Sequence, residues 1–112
     1  MRRKLAAAVL ALGMTIFSGS GISWAMKSHM IEATEHTQAA VGYGKAGHAD
    51  VLVQHATAAL MHAEAAQKEK PEAHKAAAIK GLKEAIEHGK AGHADVATKA
   101  ADGALTHLNA VK

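Results

Sequence analysis

The sequence contains no cysteine. Disulfide bonds, thiolate zinc sites, iron–sulfur clusters, covalently attached haem and thiol catalysis all require this residue, so each of them is excluded. Any metal site in this protein must therefore use nitrogen and oxygen ligands. The side chains that supply such ligands are those of histidine, aspartate and glutamate.

Aromatic residues and net charge are also scarce. The only aromatic residues are Phe17, Trp24 and Tyr43, and the surplus of three positive charges equals the basic residues among the first four. The remainder of the chain is close to neutral. Nucleic-acid binding needs a basic face or aromatic side chains on which bases stack, so we expect no nucleic-acid partner.

The apolar run at residues 5–17 is shorter than the roughly 20 residues that a membrane-spanning helix needs. It follows three basic residues, and residues 23–25 supply a small-x-small pattern, as in a secretory signal peptide. We therefore predict a signal peptide at 1–25 with cleavage after Ala25. The mature domain, 26–112, would then reside in the periplasm, with no membrane attachment.

The mature sequence contains an internal duplication. Residues 44–50, Gly-Lys-Ala-Gly-His-Ala-Asp, recur without change at residues 89–95, an offset of 45 positions. Repeats at a fixed offset indicate a repeated structural unit. The two copies cover about residues 28–66 and 71–111.

Each repeat divides at its glycine-rich turn into two predicted helices. The abundance of Ala, Lys, Glu and Leu favours helix, glycines lie where helices stop, and Pro71 lies at a helix start. The predicted helices are 28–41, 48–66, 71–88 and 93–111. Short loops fold each pair into an antiparallel hairpin, which predicts an all-α, up-down-up-down four-helix bundle made of two duplicated hairpins. We expect a monomer.

Large apolar side chains are few, so alanine must fill most buried positions. The predicted core residues other than alanine, Val and Met are Ile31, Leu52, Leu60, Ile79, Leu82, Ile86, Leu105 and Leu108. Met30 and Met61 are expected to fill gaps. A core of this kind stabilises a small domain only marginally, which leaves room for a bound ligand to contribute to folding.

All nine histidines lie in the mature domain, and they are the candidate metal ligands: His29, His36, His48, His55, His62, His74, His88, His93 and His107. Within a predicted helix they are seven or fourteen residues apart, so they share a face but stand at least about 10.5 Å apart along the axis. Two nitrogens bound to one ion are within about 4 Å of each other. The second ligand must therefore come from the neighbouring helix.

Folding each hairpin at its turn predicts four cross-helix histidine pairs: His36 with His55, His29 with His62, His88 with His93, and His74 with His107. Tyr43 faces His48 in a fifth layer. In the second hairpin Gly81 faces Ala100, at positions where the spacing of seven residues would place histidines. We expect the pair of His88 and His93 to be the best defined, because a short loop joins its two members.

The histidines of each helix form a stripe that lies beside the predicted core. Measured as rotation about the helix axis, this stripe is roughly 130° from the apolar centre of the third helix and 80° from that of the fourth. This places the sites along the outer groove of each hairpin. Glu32 and Glu84, each four residues before a histidine, are available as ligands or as hydrogen-bond acceptors for the rings. Imidazole with carboxylate and water suits Cu(II), Ni(II) and Zn(II), with Cu(II) bound most strongly.

Two other functional classes are alternatives to metal binding. Di-iron enzymes of the bundle type use Glu-x-x-His motifs that point inward, whereas Glu32 and His36 are four residues apart and no His-Glu-x-x-His motif occurs. We therefore predict no enzymatic activity. The alternative is a pH-responsive structural or interaction protein, because clustered histidines titrate near pH 6.5 and repel one another when protonated.

The histidines at intervals of seven, the turn at residues 88–93 (His-Gly-Lys-Ala-Gly-His) and the following Val-Ala-Thr-Lys at 96–99 resemble the small metal-binding protein family of bacterial periplasms. The resemblance covers nearly all of the mature chain. It implies a periplasmic four-helix protein that binds several divalent or trivalent ions, copper prominently, and buffers or scavenges metal without catalysis. The chain departs from the family pattern at Tyr43, Gly81 and Ala100.

Overall fold

The computed structural model describes residues 22–112, with side chains from residue 28 onward. Residues 1–21, which form most of the predicted signal peptide, lie outside the described residues. Four helices follow one another: α1 (Ile22–Lys45), α2 (Ala49–Glu69), α3 (Ala73–Lys90) and α4 (Ala94–Asn109). In the described part of the chain, none of them has the length and hydropathy of a bilayer-spanning segment.

The helices form the expected up-down-up-down bundle. Helix α1 packs against α2 and α4, and α3 packs against α4 and α2, so each helix has two close neighbours. The two hairpins, α1–α2 and α3–α4, correspond to the two sequence repeats. The predicted all-α four-helix fold is therefore confirmed.

The helix boundaries differ from the sequence prediction mainly in α1, which begins at Ile22 instead of residue 28 and also ends later than predicted. This helix runs through Gly42 and Gly44 to Lys45, whereas the sequence predicted an end at Val41. Glycine costs about 1 kcal/mol relative to alanine inside a helix, which is why the sequence predicts a loop at these residues. Gly44 is buried against Leu52 of α2 and Thr98 of α4, so its place in the helix follows from packing.

The glycine contacts repeat in the second hairpin. A Cβ atom on Gly89, the counterpart of Gly44, would lie 2.6 Å from Val53 Cγ2 and 3.2 Å from Leu52 Cδ2. Val53 and Thr98 are themselves 45 residues apart. The hairpins thus pack with approximate two-fold symmetry, and a glycine allows the close approach on each side.

The core consists mainly of alanine, as predicted, but some of the predicted large residues lie outside it. Leu52, Leu82 and Leu108 are buried, whereas Ile31 is 52 % exposed and Met61 is 65 % exposed. Both expectations of burial were wrong, because the buried face of each helix follows its alanines and points these two side chains outward. The partly buried hydrophobic residues that pack against the core include Met30, Leu60, Ile79 and Ile86.

The connection between the hairpins is held by a buried lysine. Lys75 Nζ donates hydrogen bonds to the backbone oxygens of Ala66, at 3.2 Å, and Lys70, at 2.7 Å, which lie at the C-terminal end of α2. A cation is favourable at the C-terminal end of a helix, and the Ala66 carbonyl also accepts the Lys70 N–H, at 3.0 Å. The anchor also fixes the first turn of α3, where His74 lies.

The predicted helix start at Pro71 is wrong by two residues. Helix α3 begins at Ala73, and the Glu72 carboxylate caps it by accepting hydrogen bonds from the backbone N–H groups of His74 and Lys75. A side-chain acceptor at this position pairs N–H groups that have no partner within the helix. Pro71 therefore precedes the cap instead of opening the helix.

Two glycine-to-alanine variants test the close packing between the hairpins. Gly89→Ala should destabilise the protein by about 1–3 kcal/mol, because the new methyl group would overlap Val53 and Leu52. Gly103→Ala, in α4 with open space around it, should stabilise it by about 0.5–1 kcal/mol through helix propensity. Urea unfolding measures both. Equal stabilisation by the two changes would show that α2 and α3 are not in tight contact at Gly89.

Candidate metal centre

The turn within each hairpin fixes the position of a histidine. At the end of α1, the His48 N–H donates to the Tyr43 carbonyl at 2.9 Å and the Gly47 N–H donates to the Gly44 carbonyl at 3.0 Å. Gly47 has a φ of +86°, the left-handed conformation of this helix ending. His48 then serves as the N-cap residue of α2. The register between α1 and α2 is therefore set by residues 46–48, which connect the two helices.

The turn of the second hairpin is the same. The His93 N–H donates to the His88 carbonyl at 2.9 Å, Gly92 has a φ of +82°, and His93 is the N-cap residue of α4. Identical turns give both hairpins the same starting register. The histidines along the helices consequently face each other across the outer grooves.

Three of the four predicted pairs are in direct contact through their rings. The Nδ1 atoms are 3.0 Å apart between His29 and His62, 3.2 Å between His36 and His55, and 3.1 Å between His74 and His107. Two nitrogens that each lie about 2.05 Å from one ion are about 2.9 Å apart at a right angle and about 3.3 Å apart at the tetrahedral angle. The three pairs already have the separation that a shared ion requires.

The Nδ1 contacts also restrict the protonation of the rings. A neutral imidazole has one N–H donor and one acceptor nitrogen, so in each pair one Nδ1 carries a proton and the other accepts it. Two protonated rings would bring two donors, and two positive charges, together. A metal ion at the same place would be bound by both Nδ1 atoms once the proton between them has moved to the Nε2 atom of its own ring, which keeps both rings neutral.

The remaining predicted pair is wider. The ring centroids of His88 and His93 are 6.5 Å apart, compared with 5.2–5.4 Å for the other three pairs. Tyr43 and His48, which occupy the corresponding positions of the first hairpin, have centroids 6.4 Å apart. Joining two residues by a short loop fixes their backbones, but it does not turn their rings toward each other.

The first hairpin contains additional contacts that sequence analysis did not predict. His36 stacks on His62 with centroids 6.1 Å apart, and Tyr43 stacks on His55 at 5.4 Å, both with an interplanar angle of 4°. These diagonal contacts link the layers into one continuous series, which we call the ring ladder. Its order is His29, His62, His36, His55, Tyr43 and His48.

The direction of helical side chains explains the diagonals. Each side chain leans toward the N-terminus of its own helix, so rings on antiparallel helices lean in opposite directions. His36 leans toward the level of His62, and Tyr43 leans toward that of His55. Applied to the sequence, this rule predicts the ladder, whereas matching residues directly opposite each other predicts only the pairs.

One diagonal contact includes a carboxylate. Glu32, His36 and His62 each offer a ligand atom, and the three atoms lie within 4.8 Å of one another. Among the described residues this is the only such group of three, and all three side chains are half-buried. The Glu32 Oε1 atom is 3.4 Å from His36 Nε2. The spacing of four residues predicts Glu32 beside His36 but does not include His62.

The second hairpin lacks a ladder because its middle layer is closed. A Cβ atom on Gly81 would lie 3.1 Å from Ala104 Cβ and 3.2 Å from the Ala100 carbonyl oxygen. Helices α3 and α4 approach so closely here that a histidine at position 81 would have to push them apart. The pair of His74 and His107 and the pair of His88 and His93 are therefore separate.

A model of the small metal-binding protein family matches residues 2–111. The chain belongs to the small metal-binding protein family. A comparison with curated proteins finds no match. Membership of this family agrees with the histidine pairs and with the cluster of Glu32, His36 and His62, which together supply nitrogen and oxygen ligands. Metal binding is thus supported by both the family and the geometry.

In this small metal-binding protein the environment changes the titration of two ladder histidines. Burial lowers the pKa of His55, and the positive charge of His36 lowers it further. Burial also lowers the pKa of His62, Glu32 acts in the opposite direction, and His29 and His36 add to the lowering. Both rings therefore favour the neutral form, which is the form that binds metal.

The lowered pKa values predict that acid destabilises the metal-free protein. A group whose pKa is lower in the folded state stabilises fully above its unfolded value, about 6.5 for histidine, and this stability is lost as pH falls through the folded value. Urea unfolding in chelator should therefore show decreasing stability from pH 7.5 to 5.5. The change should be smaller in His55→Gln/His62→Gln. An undiminished change in this variant would contradict the assignment, and His93→Gln, at an exposed position, serves as control.

Proposed function

We propose that this protein binds divalent transition-metal ions, Cu(II) foremost and also Ni(II) or Zn(II), and acts as a metal buffer, scavenger or chaperone. The observation that carries the proposal is the Nδ1 separation of 3.0–3.2 Å in three cross-helix histidine pairs. Side chains held at the spacing of a shared ion need little reorganisation on binding, which favours affinity.

The order of metals follows from the ligand chemistry. Imidazole nitrogens, one carboxylate and water suit borderline ions, and within this group Cu(II) forms the strongest complexes. The Nδ1 separations of the three pairs, 3.0–3.2 Å, lie between the values for ligands at right angles, about 2.9 Å, and at the tetrahedral angle, about 3.3 Å. The pairs therefore fit both tetragonal and tetrahedral ions, and the preference for Cu(II) rests on the strength of its complexes with these ligands.

The proposal places the protein in the periplasm after removal of residues 1–25. Its support is the sequence pattern of basic residues, apolar run and small-x-small site. Intact mass of the protein from the periplasmic fraction should correspond to a chain that begins at Met26. The proposed function needs only a monomer and includes no reaction, because storage requires reversible binding alone.

A pH-responsive structural role is the second candidate. It is favoured by the lowered pKa values of His55 and His62 and by the close contacts between rings. Protonating both rings of a pair would place two positive charges in contact. The two functions are separated by stoichiometric metal binding at pH 7.5, which only the first requires.

Calorimetric titration with Cu(II), Ni(II) and Zn(II) at pH 7.5 and 5.5 tests the proposal. We expect saturable binding of more than one ion at pH 7.5, with affinity lost at pH 5.5 because protons compete for the nitrogens. Free metal at about a hundredfold over Kd should add about 2.7 kcal/mol of stability per site, measured by thermal unfolding. Absence of stoichiometric binding at pH 7.5 would leave the pH-responsive role.

Two double variants distinguish paired histidines from isolated ones. His29→Gln/His62→Gln removes one pair and should lower the number of bound ions by one. His29→Gln/His107→Gln removes the same number of imidazoles but breaks two pairs, so it should lower the number by two. Equal losses in the two variants would show that the histidines bind metal independently, and the paired sites would then be rejected.

A further inference from the structure

Two histidines of the ring ladder belong to more than one possible site. His36 contacts His55 through Nδ1 and faces Glu32 through Nε2, and it also stacks on His62. His62 contacts His29 through Nδ1 and is a member of the group with Glu32 and His36. The α1–α2 hairpin thus offers one central site and two outer pairs that share ligands.

Shared ligands cannot serve two sites at once. A neutral imidazole has a single nitrogen with a free lone pair, since the other carries a proton. Binding two ions to one ring would require removal of that proton and would place two dications on opposite sides of a five-membered ring. The central site and the outer pairs are therefore alternatives.

We infer that the α1–α2 hairpin binds metal in two mutually exclusive modes, with one ion at Glu32, His36 and His62 or two ions at the pairs His29–His62 and His36–His55. The inference rests on the proposed function and adds that the ligands used depend on the number of ions bound to the hairpin. A first ion enters the central site, and a second ion moves the first to an outer pair.

The order of the two modes follows from ligand number and charge. The central site provides three protein ligands, one of which is an anion, whereas each outer pair provides two neutral nitrogens. A single dication is therefore bound more strongly at the centre, after the three side chains close in from their present separations of up to 4.8 Å. With two ions, four nitrogens in two pairs bind both, and the ions stand about 10.5 Å apart along the helices.

Glu32 has a role in each mode. In the central mode its carboxylate is a ligand. In the paired mode His36 binds metal through Nδ1, its Nε2 carries the proton, and Glu32, 3.4 Å away, can accept that proton in a hydrogen bond. A carboxylate in this position orients a metal-binding imidazole and strengthens it as a ligand.

The second hairpin provides an internal comparison. The positions equivalent to Glu32 and His36 are Ala77 and Gly81, and Gly81 is closed by contact with α4. That hairpin has no central site. Its two pairs share no ring, so they should fill without rearrangement.

The test uses the full mature protein with the second hairpin silenced by His→Gln changes at positions 74, 88, 93 and 107, its folding verified by circular dichroism. Cu(II) is added to one and then two equivalents at pH 7.5. Electron paramagnetic resonance reports the ligand set and the coupling between ions, and calorimetry reports affinity. Glu32→Gln is compared with Glu35→Gln, which removes the same charge from an exposed position of the same helix.

We expect the first equivalent to give a spectrum of mixed nitrogen and carboxylate ligation, which two equivalents replace with a dipole-coupled spectrum of two imidazole-bound ions. Glu32→Gln should weaken the first ion by about tenfold or more and leave two ions bound at saturation, whereas Glu35→Gln should change neither. Glu32→Gln and Glu35→Gln are also compared in the protein that keeps all nine histidines. This comparison shows whether the result depends on misfolding of the variant with four His→Gln changes.

The inference is overturned if the first spectrum persists unchanged when the second ion binds, or if the Glu32 and Glu35 variants titrate alike. In either case two ions would still bind, and the proposed function would stand. Failure of the hairpin and of the unaltered protein to bind Cu(II) stoichiometrically would overturn both.

Discussion

The register between the two helices of each hairpin is the constraint on which every proposed site depends. It is set by a turn in which a left-handed glycine ends one helix and the next histidine begins the other. A change of one residue in this register rotates a helical side chain by about 100°. In both hairpins this turn brings together rings of residues that are 33 positions apart in the sequence. These are His29 with His62 and His74 with His107.

Alanine in the core determines where the histidines lie. Small buried side chains let the helices approach closely, and the positions beside this narrow interface become shallow grooves. The nine histidines occupy these grooves, and none of them is buried. The rings therefore remain accessible to ions from solvent while the helices hold them near one another. The same core buries little apolar area, so the binding energy of a ligand would be a substantial addition to stability in a domain of this size.

Duplication produced two hairpins of the same architecture and different chemistry. Glycine at 81 brings α3 and α4 together and separates two histidine pairs. Histidine at 36, with Glu32 one turn before it, instead joins neighbouring pairs into a series. The differences at equivalent positions, with Ala77, Gly81 and Ala100 in place of Glu32, His36 and His55, thus decide whether sites are independent or coupled.

Sequence by itself determined the helical fold, the duplication, the candidate ligands and the facing of His29 with His62, because helix periodicity and turn position are local properties. It also identified alanine as the main core residue. It did not determine that Ile31 and Met61 are exposed, that Gly44 lies within a helix, or that the rings of His88 and His93 are farther apart than those of the other pairs.

The lean of helical side chains favours a diagonal contact between His36 and His62, but only the tertiary structure showed that ligand atoms of Glu32, His36 and His62 lie within 4.8 Å of one another. Such a contact depends on the distance between helices and on the rotamer of each ring, which the packing of residues elsewhere decides. Local sequence fixes which face a side chain occupies. The separation of two faces to within an ångström, on which metal chelation depends, is fixed by the whole bundle.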